Sequence, residues 1–353
     1  MKGKLLLTLV AIPFLLAFFS LGRAAEPIKM TYGNFFATTH AVGVMGSQFC
    51  DEIKKRTNGR VEIQYYPGGT LVTAPKVFNG VVQGIADIGL GATNYNMGRF
   101  PVFELIGLPL GFPSGWVVGH VNNDFFDKFK PKEWDSVHVL YFHGPGPYLV
   151  QTIKKPVKTL EDLKGLKIRG VGALAETEKA LGATPIPLEM ADVYESMRRG
   201  VIDGIMGPLE QLKGWKTGDI VRYVTACWDV GIGSVFYVVV NKDRWDALPA
   251  DIKKVFSDVA AEWAEKTGVM WNGADLEGLN ELKKQGGQMV PLSADESKKW
   301  VRAVQSQVTD KKKELVSKGF NEKEIDGYLA YITERIAYWK QVEKERKIPT
   351  VSE

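Results

Sequence analysis

The residue types that make and break bonds are present in this chain, but not at the spacings their chemistry needs. His40, His120, His138 and His143 form no helical pair suited to zinc, and His138 and His143 fall on a strand and its exit loop, at opposite faces or ends. They are expected to be solvent-exposed or hydrogen-bonded. No Walker loop, no G-x-S-x-G elbow and no C-x-x-C pair occurs. Asp and Glu are abundant, but no spacing pairs them as a hydrolase would. The run His143 to Pro147 (HGPGP) contains a G-x-G, yet its prolines prevent a helix from opening there, so it reads as a crossover between domains. Lys311 to Lys313 reads as a solvated helix face. Neither a catalytic residue, a metal nor a cofactor is expected, and the chain is not expected to be an enzyme.

Composition narrows the alternatives. The 353 residues are 45% hydrophobic and 24% charged, with 17 Phe, 12 Tyr and 9 Trp, which suits two globular domains with sizeable cores and excludes disorder and coiled coil. The formal net charge is +4, and three of those charges, Lys2, Lys4 and Arg23, precede the first acid, Glu26. That leaves no electrostatic footprint for nucleic acid. A basic start, an apolar stretch from Leu5 to Leu21 and small residues at Gly22 and Ala24 read as a secretory signal peptide over residues 1–24, with a retained anchor as the competing reading. The expected location is the periplasm. Two cysteines provide no disulfide framework, and two buried free thiols are expected.

The elements alternate. Ile28 to Tyr32 has strand character, Val42 to Lys55 a helical period, and Arg60 to Tyr65 alternates like a strand. Val137 to Phe142, Lys167 to Arg169 and Val235 to Val240 are further strands, and Leu174 to Leu181, Met190 to Arg199 and Ile252 to Lys284 are helices. Such alternation gives α/β layers with largely parallel sheets. An internal echo accompanies it. Val81 to Gly91 (VVQGIADIGLG) and Met197 to Gly207 (MRRGVIDGIMG) share the order helix, Gly, two residues, Asp, apolar run, Gly. Each copy ends a helix on glycine and starts a buried strand. Two halves built alike suggest a cleft between them, although helix-to-strand turns favour Gly and Asp on their own account.

Further motifs carry a family resemblance. Pro156 to Arg169 (PVKTLEDLKGLKIR), Gly182 to Pro187 (GATPIP), Asp192 to Tyr194 (DVY) and Gly200 to Gly204 (GVIDG) resemble the extracytoplasmic solute receptors of TRAP transporters, the DctP type. Thr57 to Ile63 (TNGRVEI), Tyr66 to Leu71 (YPGGTL), Gly84 to Asp87 (GIAD) and Asn241 to Pro249 (NKDRWDALP) are similar to other signatures of the same family, so the resemblance spans about residues 28 to 290. It implies a two-lobed periplasmic-binding-protein clamshell of α/β class with a long helix bracing both lobes. It also implies a small organic acid as ligand and a membrane permease, driven by an ion gradient, as partner. Lobe one is expected over 26–150 plus about 236–270, and lobe two over 151–235 plus about 271–345.

Within that resemblance Arg169 carries the functional weight, as the arginine that forms a two-pronged salt bridge with the ligand carboxylate. A planar guanidinium at the carboxyl end of a strand presents two parallel donors to two oxygens. The competing reading pairs Arg169 with Asp192 or Glu176. Asp192 is expected to position Tyr194 or the helix start. Departures from the family pattern bear on the ligand: Leu149 stands where many relatives have a second arginine, and Met206, Gly207 and Pro208 replace the usual E-N-P. With Phe35, Tyr148, Met190 and Trp215 these residues make a pocket of one cation and much apolar surface, although Met206 and Trp215 read equally well as core. The expected ligand is a monocarboxylate with an apolar or aromatic body. A component of an ABC transporter or a sensor, or an enzyme in the same cleft, remains an alternative.

Overall fold

The computed structural model describes residues 26–351, so the signal-peptide expectation lies outside the described residues. In chain order the strands are β1 (Ile28–Asn34), β2 (Val61–Tyr66), β3 (Ile88–Ala92), β4 (Val137–His143), β5 (Leu149–Thr152), β6 (Lys167–Arg169), β7 (Thr184–Ile186), β8 (Gly204–Gly207), β9 (Tyr223–Ala226), β10 (Phe236–Asn241) and β11 (Gln288–Pro291). They form two sheets, ordered β2-β1-β3-β10-β4 and β11-β9-β5-β8-β6-β7. In the first sheet β1 is parallel to β2 and β3, and β10 runs antiparallel beside β3. In the second β6 is parallel to β7 and β8, and β5 runs antiparallel beside β8. The two sheets thus repeat one arrangement, three parallel strands and then a strand contributed by a crossing segment.

The sequence echo marks equivalent corners of this repeat. Gly84 and Gly200 end their helices at φ +74° and +71°, a left-handed conformation that favours glycine. Asp87 then accepts from the Thr31 backbone N–H at 2.8 Å, and Asp203 accepts from that of Lys167 at 2.9 Å. Asp87 ties the middle of β1 to the start of β3, and Asp203 ties the start of β6 to the start of β8. The motif is a register lock at the sheet's far end from the strand termini that face the other lobe.

The chain passes between the sheets through residues 144–148, through 227–235, and along the helix Ala250–Lys284. At ~1.5 Å per residue this 35-residue helix reaches ~50 Å. Its Ile252, Phe256, Val259, Trp263 and Trp271 are buried in the first core, and its Leu282 in the second. Gly278 makes the second contact possible: a Cβ there would lie 1.9 Å from the Leu209 carbonyl oxygen.

The tail departs from expectation. Trp300 and Val304 of helix Ala294–Val304 join the second core, but Leu315, Ile325, Ile332 and Ile336 of the helices Ser306–Ser317 and Glu322–Glu345 join the first. The apolar stripe of the last helix lies on helix Gly115–Phe129, where Asp124 accepts from Arg335 Nε and Trp339 Nε1. The tail beyond about residue 305 therefore returns to lobe one. Lys311 is also not solvated: its ammonium pairs with the buried Glu104 carboxylate, while Lys313 remains exposed. Three consecutive helical residues point about 100° apart, so one of them faces inward.

Candidate functional site

The strand termini that face each other differ in chemistry. From the first lobe, β1 runs into Phe35 and Phe36, whose rings stack at 4.3 Å between centroids. The turn is set by Asn34, whose side-chain oxygen accepts from the Phe36 N–H at 2.9 Å. Tyr95 follows β3 and Phe236 begins β10, and both lie edge-on to Phe35 at 6.0 and 6.2 Å. Trp215 of the second lobe completes this wall, 5.5 Å from Phe36, and packs against both cores.

From the second lobe, Arg169 ends β6 and is 4% exposed. Its Nε donates to the Leu188 carbonyl at 2.9 Å and its Nη2 to the Tyr95 hydroxyl of the opposite lobe at 3.2 Å. No carboxylate among the described residues forms an ion pair with it. Asp192 is exposed in the first turn of helix Met190–Arg198, and Glu176 lines a surface groove beside Lys179 and Asp310. The acid closest in effect is Glu178, a buried residue whose carboxyl is pushed up to about 8 by burial, with the Arg169 charge acting in the opposite direction.

The other expected residues of this lobe lie on or next to β5 and β8 and on the helix after β7. Tyr148 precedes β5 and donates from its hydroxyl to Ser234 Oγ at 3.2 Å, and burial pushes its phenol up to about 12. Leu149 pairs with Gly207 across β5 and β8, and Leu149 and Met206 are wholly buried in the second core. Met190 opens the helix after β7 and is buried. Gly207 leaves room for the Gln211 side chain: a Cβ there would lie 2.2 Å from Gln211 Oε1, an atom with no hydrogen-bond partner.

A second junction joins the lobes beside Trp215. His40 Nδ1 accepts from the Val42 N–H at 3.1 Å, capping helix Ala41–Arg56, so Nε2 carries the proton that it donates to Glu210 at 2.8 Å. Both side chains are buried. Asp275 of the long helix holds Glu210 in turn by accepting from its backbone N–H at 2.8 Å, and burial pushes the Asp275 carboxyl up to about 8. His143 at the crossover accepts from Trp271 Nε1 at 2.9 Å, and burial takes its imidazole down to about 3. Three of these histidine environments, His40, His120 on Glu265 and His143, are hydrogen-bonded, and His138 stacks on Trp245. Cys50 and Cys227 are buried and free.

Tyr95, Phe36, Phe236, Gln211 and the His40–Glu210 pair were not singled out by the sequence. Tyr95 and Arg169 are 74 positions apart and His40 and Glu210 170 apart, and no local motif signals either contact.

Two α/β lobes, joined by crossing segments and a bracing helix and closed over a buried arginine, define a solute-binding protein of the clamshell class. The chain belongs to the bacterial extracellular solute-binding protein family 7, the TRAP receptors, whose model matches residues 32–314. It is 27% identical over 255 residues to the 2,3-diketo-L-gulonate-binding periplasmic protein of Escherichia coli (strain K12), covering 70% of this chain and 76% of that one. It is 25% identical over 288 residues to the C4-dicarboxylate-binding periplasmic protein of Rhodobacter capsulatus, covering 80% and 85%. A TRAP periplasmic solute binding protein from Desulfovibrio salexigens, solved in an open complex, shares 31% identity and a TM-score of 0.78 over 89% of this chain and 97% of that one. One from Bordetella bronchiseptica with bound (R)- and (S)-mandelate shares 26% identity and a TM-score of 0.80, covering 89% and 100%. These relatives are binding proteins, and the curated ones are periplasmic.

Proposed function

We propose that this chain captures a small organic monocarboxylate with an apolar or aromatic body in the periplasm and delivers it unchanged to an ion-driven TRAP permease. The observation that carries this reading is Arg169, a buried cation at a strand's carboxyl end with no ion-pair partner among the described residues. A buried charge needs an opposite charge, and a carboxylate matches the guanidinium fork in two parallel hydrogen bonds. Tyr95 already accepts from the guanidinium, so its own O–H is free to turn toward the ligand's second oxygen. Closure removes water from the pair and lowers the local dielectric, which strengthens the contact without any bond being made.

The body of the ligand follows from counting charges. Phe35, Phe36, Phe236 and Trp215 on one side and Met190, Met206 and Leu149 on the other supply apolar surface, with Gln211 as an amide. Among the described residues no second cation is placed beside Arg169 to receive a second carboxylate, whose burial without a partner costs several kcal/mol. The mandelate bound by the Bordetella relative, an aryl hydroxy acid, is in keeping with this preference. Titration calorimetry of phenylacetate and succinate tests it. Binding of phenylacetate at least tenfold tighter than succinate is expected, and tight succinate binding with no aryl-acid binding would overturn it.

A further inference from the structure

We infer that Glu178, a buried carboxyl beside the Arg169 site, couples carboxylate capture to the uptake of a proton. This rests on the reading that Arg169 receives the ligand's carboxylate. Glu178 lies on helix Ala173–Ala180 and is 1% exposed, and neither of its carboxyl oxygens has a hydrogen-bond partner. Its oxygens lie against the α-carbon of Gly170, the residue after Arg169, where a Cβ would stand only 2.3–2.5 Å from them. The glycine therefore makes room for a carboxyl group that the fold does not otherwise satisfy.

The charges on the surrounding elements point elsewhere, with one exception. Glu176 and Lys179 of the same helix, and Asp310 and Lys311 of the tail, line the surface groove. The tail's contribution to the buried face is the neutral Gln307, which accepts from Thr177. On helix Ala294–Val304, Glu296 is engaged with Lys299 and the Leu160 N–H. Arg169 alone acts on Glu178, and its charge is what favours the ionised form against burial.

A ligand carboxylate on Arg169 neutralises that one favourable charge and adds an anion of its own. Ionised Glu178 then has nothing to offset its burial, so a proton from solvent goes onto it. By linkage, proton and carboxylate favour each other's binding. The sign follows from a Glu178 carboxyl raised to about 8 before ligand arrives and higher afterwards. Below that pH the group is protonated in both states and affinity is flat. Above it, each ligand bound takes up a proton, and the apparent affinity falls by up to tenfold per pH unit. The ligand itself, with an ordinary carboxyl pKa near ~4, is ionised throughout.

Calorimetry with mandelate and phenylacetate at pH 6 to 10, in buffers of different ionisation enthalpy, tests this on the unaltered protein. Uptake approaching one proton per ligand at pH 9, and affinity at pH 9.5 about twenty- to thirtyfold below that at pH 7, are expected from the linkage slope. In Glu178→Gln both effects should vanish while binding at pH 7 stays within a few-fold. Absence of proton uptake in the unaltered protein would overturn the inference without recourse to any variant, as would an unchanged pH slope in Glu178→Gln. If binding depends on Arg169 yet takes up no proton, only the role of Glu178 falls. If neither acid binds, or Arg169→Ala binds as well as the parent, the site reading and this inference fall together.

Discussion

The two lobes share a strand arrangement but not a core. The first is packed with large aromatic side chains, among them Tyr32, Phe49, Phe78, Phe100, Trp116, Trp134 and Tyr237, all nearly inaccessible to solvent. The second is built almost entirely from Val, Leu, Ile and Met, with Tyr148 and Trp300 as its buried aromatics. The same division reaches the strand ends: the first lobe presents most of the rings, the second a guanidinium, flexible apolar side chains and the ring of Trp215. Frame and chemistry are thus specified separately. The register locks at Asp87 and Asp203 are equivalent and lie away from the cleft, so the repeat explains the fold, while the residues at the opposite strand ends explain binding.

Removing the cation should have the largest effect. Arg169→Ala is expected to weaken phenylacetate binding by more than ~100-fold, since charge-assisted hydrogen bonds contribute about 1.5–3 kcal/mol each. Arg169→Lys should recover only part, because a point charge cannot make the parallel pair. Phe35→Ala should lose about tenfold for phenylacetate and little for acetate. Calorimetry of the three variants checks this, and equal losses for both acids in Phe35→Ala would break the division of labour between the lobes.

The junction between lobes comes next. His40→Ala or Glu210→Ala removes a buried contact that joins the lobes, at about 1.5–3 kcal/mol for a hydrogen bond to a charged group. A ten- to hundredfold loss of affinity is expected, with a larger radius of gyration in small-angle scattering and little change in the unfolding temperature of either lobe. The smallest effects should come from the register locks. Asp87 accepts from both the N–H and the hydroxyl of Thr31 and also pairs with Arg244, whereas the Asp203 side chain accepts from the Lys167 N–H. Asp87→Ala should therefore cost about 2 kcal/mol and Asp203→Ala about 1 kcal/mol in denaturant unfolding, each leaving affinity nearly unchanged. An effect on affinity from either would place the echo in the binding chemistry after all.

The fold was legible wherever periodicity is local. The helix expected from Ile252 to Lys284 spans Ala250–Lys284, and β6 spans Lys167–Arg169 as expected, because turn glycines and apolar periods mark both. The tail was not legible: Ile325, Ile332 and Ile336 announce an apolar stripe but not which lobe it covers. At the site, the strand-end position of Arg169 could be read from its motif. Tyr95, Glu178 and the His40–Glu210 pair could not, since each depends on which distant surface folding brings against it. Glu178 in particular matches no motif in the sequence, and only its burial beside Gly170 gives it a role.

A crystal structure of the protein with phenylacetate tests the division between the lobes most directly. The account predicts the carboxylate within hydrogen-bond distance of the Arg169 guanidinium, about 2.7–2.9 Å for a charge-assisted pair, with the phenyl ring against Phe35, Phe236 and Trp215. A carboxylate bound away from Arg169, or a ring held by the second lobe alone, would contradict it.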